Sequence, residues 1–237
     1  MSVPQLDQHT AAAAARSILS CARDVELDIA DVAHSLVDER LGLLDIDGTP
    51  GFLCPPQGVV AASGRDRSRA TLMMTSGVRG AAPEGDPTAT WSLLFLRGTL
   101  RSEGVESCTC CVDVRERVVL DLDTVEISDA DGRRVSIPVA EFHSQAHALN
   151  RGYLQRAAEH AREAHQHELR EAVAELSRTD VDEILGAQLV DLTTWGTTLE
   201  WVDLTGSHQR PVWFPRVAET PADLAALLRG CLHPGIC

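Results

Sequence analysis

Apolar and polar positions along the 237-residue chain switch period several times, and the switches mark its elements. From Ala11 to Arg23 an alanine run with Ile18, Leu19 and Ala22 predicts a helix. Alternation then takes over. Val25, Leu27 and Ile29 are interleaved with acidic residues. Leu41–Ile46 and Gly51–Leu53 flank the turn sequence Asp47-Gly48-Thr49-Pro50. Further strands are predicted at Ala70–Thr75, Trp91–Leu100 and Val118–Ile127, and a hairpin turn at Asp129–Gly132 leads into Arg133–Ile137. Gly77–Thr88 is rich in Gly and Pro and reads as a loop. One helix followed by about six or seven strands predicts a closed or nearly closed antiparallel barrel.

Beyond Pro138 the pattern becomes helical, over Val139–Leu149 and again over Tyr153–Leu176, with many Ala, Glu and Arg. Strands return at Leu185–Leu192, Thr197–Leu204 and Arg210–Phe214. Pro221–Leu228 is predicted as a closing helix, with Thr220 as its cap and proline in the first turn. The fold class expected is α+β. Residues 1–150 form an antiparallel barrel-like domain, and residues 151–237 a small helix–three-strand–helix domain.

Composition narrows the chemistry. Aromatic residues are 4% of the chain, so Leu, Val, Ile and Ala must build the core. A formal charge of −14 argues against a nucleic-acid surface, which needs a basic patch. All basic residues are arginine, which excludes Schiff-base catalysis and a phosphate-loop lysine. No apolar run reaches the roughly 18 residues that span a membrane, and Met1–Thr10 lacks a secretory pattern. The seven cysteines then read as free thiols of a cytoplasmic protein.

The helix over Tyr153–Leu176 carries His160, His165 and His167. At about 100° per residue from Leu154, the apolar stripe holds Ala158, Ala161, Leu169, Ala172 and Leu176, and His165 falls inside it near 20°. His160 and His167 fall near 240° and 220°. On one straight helix the three therefore cannot share a metal, and no HExxH zinc pattern is present. His165 reads as a core histidine satisfied by a carbonyl. His160 stands either on a solvated face with Glu159, Arg162 and Glu163, or as a ligand facing another surface; His167 reads as solvated.

The step His160-Ala-Arg-Glu-Ala-His165, in a helix followed by three strands and a terminal helix, resembles the C-terminal domain of HugZ-type haem-utilisation proteins. Trp195–Leu204 (WGTTLEWVDL), Arg210–Pro215 (RPVWFP) and Thr220–Gly230 (TPADLAALLRG) resemble that domain's later elements. The N-terminal half is similar to the pyridoxamine-phosphate-oxidase-like split barrel, in short actinobacterial form. The family's helix motif reads Met-Asn-x-Asp between its histidines where this chain has Ala-Arg-Glu-Ala, so only the histidines carry over. The resemblance implies a split-barrel-like first domain, a homodimer, and haem held by histidine near a subunit interface. His160 is the first candidate for the iron and His233, in the tail Cys231–Cys237, the second; His165 is a supporting residue of the haem site. The flavin-binding barrels' phosphate clamp has no counterpart here, so FMN is the less favoured cofactor.

Other clusters point to no chemistry. Cys108, Cys110 and Cys111 would alternate sides on a strand and read as inert thiols. Cys54-Pro55 resembles the dipeptide of haem-responsive proteins, although the prolines also suit a loop. Gly64–Arg67 and Gly77–Gly80 lack the strand–turn–helix setting of a phosphate loop. Trp195, Trp201 and Trp213 are expected in the core of the second domain. The leading function is haem binding linked to haem or iron utilisation, with haem-degrading oxygenation as its enzymatic form. Its rivals are a flavin-binding oxidoreductase and a non-catalytic regulatory module that binds another protein.

Overall fold

The alanine run forms α1, Gln8–Ser20, in which Ala11, Ala12, Ala14, Ala15, Ile18 and Leu19 are buried. Small side chains let this helix lie close to the sheet it covers. The computed structural model describes residues 7–30, 32–35, 41–79, 91–107 and 114–236. The chain divides into two compact units, Met1–Gly152 and Tyr153–Cys237.

In the first unit, β1 (Ala22–Ile29), β2 (Val32–Ser35), β3 (Gly42–Ile46), β4 (Thr49–Cys54), β5 (Arg69–Ser76), β6 (Trp91–Ser107), β7 (Val114–Asp129) and β8 (Arg134–Ile137) form one sheet. Its order is β2-β1-β5-β6-β7-β4-β3, with β8 on β7, and the pairings are antiparallel. The β3–β4 hairpin turns at Asp47 and Gly48, both at positive φ (51° and 89°), as a two-residue turn matched to strand twist requires. Helix α1 packs on β5, β6 and β8 and on α3 (Val139–Phe142), while α2 (Val59–Arg65) packs on β6 and β7. Leu27, Phe52, Leu72, Leu94, Leu96, Leu100, Leu120 and Ile127 are fully buried beneath them.

Several expectations need correction. The first helix ends at Ser20, and Ala22 already begins β1. Helix α2 covers Gly64, in a stretch where no helix is expected. The helix expected over Val139–Leu149 is only α3 and a 3-10 turn, Gln145–His147. Ser144 between them is extended and its side chain accepts from the Ala146 N–H, a local bond that competes with helix continuation. The cysteine cluster at 108–111 and the loop from 80 to 88 lie outside the described residues.

Helix α4 (Arg151–Ala164) leads into the second unit, followed by α5 (Gln166–Ser177), β9 (Ile184–Val190), β10 (Gly196–Asp203), β11 (Gly206–Trp213) and α6 (Pro221–Cys231). The three strands form an antiparallel meander ordered β11-β10-β9. Helix α5 lies against β9 and β10, with Leu169, Ala172 and Val173 buried, as are Ala187, Leu189 and Leu199 of the strands. Thr220 caps α6 through the Asp223 N–H at 3.1 Å, with Pro221 in the first turn. Among the described residues no helix is long and apolar enough to cross a membrane. The whole is an α+β fold built on a large antiparallel sheet.

Candidate functional site

The predicted histidine helix is broken at its middle histidine. His165 leaves helical geometry (φ −126°, ψ 36°), separating α4 from α5. Its N–H still reaches Ala161 O at 3.0 Å, and its carbonyl accepts from Leu169 N at 2.9 Å. Gln166 secures the break: its amide donates to Arg162 O (2.8 Å) and to Ala187 O on β9 (2.7 Å). The same side chain accepts from Ala187 N at 3.4 Å. Ala187 lies on the strand at the sheet's edge, so Gln166 satisfies backbone groups that no neighbouring strand pairs.

The break overturns the unbroken helix but not the burial the wheel predicts. His165 is the least exposed of the three histidines, and His160 and His167 are exposed. The His160 and His165 rings lie 5.2 Å apart at 81°, edge to face. His160 is exposed. The His165 side chain is only 13% exposed, and its Nδ1 is 3.8 Å from Glu168 Oε1. The backbone N–H at Glu168, in the first turn of α5, holds that carboxyl below its usual value, and the His165 charge adds to the effect.

His233 follows α6 in a tail that is packed down: Leu232 and Ile236 are buried. Both of its ring nitrogens are engaged, Nε2 with Glu171 at 3.1 Å and Nδ1 with the Gly235 N–H at 3.1 Å. His167 meets the other oxygen of Glu171 at 3.4 Å. The structure thus brings His160 to His165, and His167 and His233 to Glu171. A cavity of about 310 Å³ opens beside the break, lined by Arg162, Gln166, Gln188, Glu200, Trp201 and Ser207 among others. Trp201 stacks on His208 at 5.2 Å. Trp195 and Trp213 depart from the expected core: they stack on each other at 4.9 Å while 51% and 62% exposed.

The first unit holds a cluster that sequence reading missed. Glu141 Oε1 on α3 is 3.0 Å from His9 Nδ1 on α1 and 3.1 Å from His147 Nε2. The two rings are 4.5 Å apart. Burial pushes the His147 imidazole below its ordinary value, against the opposing effect of the Glu141 hydrogen bond. Glu141 is held below the usual carboxylate range by hydrogen bonds with His147 and then His9. Only Glu141 and His147 are close in sequence. His9 is 132 positions from Glu141, so no local spacing could announce the set.

Cys54, of the Cys-Pro dipeptide, is buried with its Sγ 3.4 Å from Glu116 O. Burial, and then the Glu116 charge, push its thiol up to about 11. Such a thiol supplies no thiolate ligand at neutral pH.

No family model and no curated protein matches the chain. Among solved structures it is similar to a haem-binding protein from Mycobacterium smegmatis, at 15% identity and a TM-score of 0.43, over 97% of this chain and 99% of that one. It is also similar to Atu2129, a protein of unknown function from Agrobacterium tumefaciens, at 15% identity and a TM-score of 0.37, over 93% of this chain and 94% of that one. Neither likeness transfers a ligand or a residue role.

Proposed function

We propose that this chain is a haem-binding protein in which His160 of the second unit would hold the haem iron, with His165 supporting it. In this reading the first unit is a split-barrel-like domain and the protein works as a homodimer, as the HugZ-type resemblance implies. The observation that carries the proposal is the edge-to-face approach of His160 and His165 at 5.2 Å, made possible by the break between α4 and α5.

The donor chemistry fits the group. Haem iron accepts imidazole, and an exposed histidine beside a second one is a suitable donor set. Glu168 Oε1, 3.8 Å from His165 Nδ1, is beyond hydrogen-bond reach and contributes its charge beside that ring. The neighbouring cavity suits a porphyrin poorly, being small and interrupted by Arg162, Gln166, Gln188 and Glu200. Bound haem would supply iron for oxygen or electron chemistry; the chain's own part is to hold and orient it. His233 is the weaker candidate, since ligation through either nitrogen would break its bond to Glu171 or to Gly235.

Haemin titration of the purified full chain, followed by its Soret band, tests this. The expected result is a saturable shift at one haem per chain, largely lost in His160→Ala and kept in His233→Ala. No shift, or a shift indifferent to His160, would overturn the reading. A parallel titration with FMN that perturbs flavin absorption, while haemin does nothing, would favour the flavin alternative.

A further inference from the structure

Three side chains from separate elements of the first unit point their donor atoms at one spot. His9 is the second residue of α1, whose seating is fixed by the buried alanine stripe one turn further on. Glu141 lies on α3, and His147 closes the 3-10 turn that follows. The nearest donor atoms of all three lie within 4.8 Å of one another. Both imidazoles approach the same oxygen, Oε1. The His147 side chain is 1% exposed and that of His9 is 59% exposed, so the cluster has a built inner wall and an open outer side.

The inner wall is held independently of the cluster. Ser144 caps the turn, and the Asn150 amide donates to His147 O at 3.0 Å and to Ser20 Oγ at 3.1 Å, anchoring the turn to the end of α1. A hydrogen-bonded clasp between α1 and α3 needs only one histidine on the carboxylate. Two imidazoles and one carboxylate converging from three elements form the ligand set of an open-sided site for a transition ion.

We propose that His9, Glu141 and His147 bind a divalent transition ion of the zinc, cobalt or nickel class, with water completing the coordination. Mixed nitrogen and oxygen donors suit these ions, whereas magnesium and calcium prefer oxygen alone. The open side gives the ion a route in, and a lightly buried His9 can adjust to draw its nitrogen onto the metal. One feature of the surroundings opposes the ion. Arg16, buried in α1, lies within electrostatic reach of His147, although Asp45 at 3.6 Å partly offsets its charge. The site therefore binds such ions less tightly than a closed structural zinc site. This inference does not depend on haem binding by the second unit.

Calorimetric titration of the metal-stripped full chain with Zn²⁺, and visible absorption on adding Co²⁺, test it. One ion per chain is expected, with ligand-field bands for Co²⁺ and no heat from Mg²⁺. His9→Gln alters an exposed residue and should leave the circular dichroism unchanged while weakening both ions roughly tenfold or more, as Glu141→Gln should. Thiols also take zinc, so the titration is repeated with Cys108, Cys110 and Cys111 changed to serine, and binding should persist. The proposal is overturned if no ion binds at millimolar metal, if His9→Gln binds as tightly as the parent, or if binding disappears with the cysteines.

Discussion

The imidazole of His160 meets that of His165 at 5.2 Å, edge to face. Five positions on an unbroken helix would set these residues about 140° apart. A single non-helical residue brings them together, and Gln166 ties the altered backbone to the edge of the second unit's sheet.

Removing that tie should loosen the second unit. Gln166→Leu leaves the carbonyls of Arg162 and Ala187 and the Ala187 N–H without this side chain. The expected loss is about 1–2 kcal/mol, read from chemical denaturation, because unsatisfied backbone groups at a partly buried edge lose their partners without gaining full hydration. An unchanged midpoint would mean that water replaces the amide at no cost.

Stability should fall on mild acidification because of His147. Burial lowers its value in the folded chain, whereas the unfolded chain titrates near about 6.5. Below that pH the unfolded state binds more protons, so stability present above it is lost as pH falls. Glu141, also lowered, adds a second loss at more acid pH, as its own folded value is crossed. Thermal melts at about pH 7.5 and about pH 5.5 should show a lower Tm at the acid pH, and a smaller difference in His147→Gln.

Cys54 should resist alkylation in the folded protein. With its thiol pushed up to about 11 by burial and the Glu116 charge, it is neither ionised nor accessible at neutral pH. Mass spectrometry after iodoacetamide should find Cys54 labelled only once the chain is unfolded, with the half-buried Cys231 labelled earlier. Equal labelling of both in the native protein would contradict this burial.

Glu116 is itself a buried carboxylate, held by Arg65 and by Ser102 Oγ at 2.6 Å. Arg65→Met removes its cation and should destabilise the first unit by about 2–3 kcal/mol, below the full cost for a buried pair because Arg65 is half exposed. Urea denaturation measures the loss. A second change, Glu116→Gln, should recover part of it, since the stranded charge is then gone.

Gly98 sits at a bulge between β6 and β7, where an added Cβ would fall 2.0 Å from the Asp121 carbonyl oxygen. Gly98→Ala should therefore cost at least about 1–3 kcal/mol in the same assay, as overpacking against backbone cannot be relieved by a rotamer change. Gly104 has open space around its Cβ position but lies at φ 114°, so its replacement tests backbone strain alone.

Much of the fold was legible because its signals are local. Alternation located β5, β7 and β10, Asp47-Gly48 located the first hairpin, and Thr220-Pro221 located the start of α6. Short or irregular pieces were not legible. Helix α2 has too few residues to display a period, and Ser144 ended the helix after Pro138 through a side-chain bond that propensity does not weigh. The exposed stack of Trp195 and Trp213 also escaped, since two tryptophans on a small sheet read as core.

By itself the sequence determined the α+β class and the order of most elements, because hydrophobic period, turn residues and caps act over a few neighbouring positions. It also offered His160, His165 and His233 as candidates for chemistry, but not His9, Glu141 and His147 as a set. Only the tertiary structure decided which of these meet. The edge strand β9 and Gln166 meet at the break that sets His160 beside His165, and Glu171 holds His233 down. Packing α1 beside α3 carries His9 to Glu141 across 132 positions. Such meetings depend on how far-apart segments pack, and no local pattern records that.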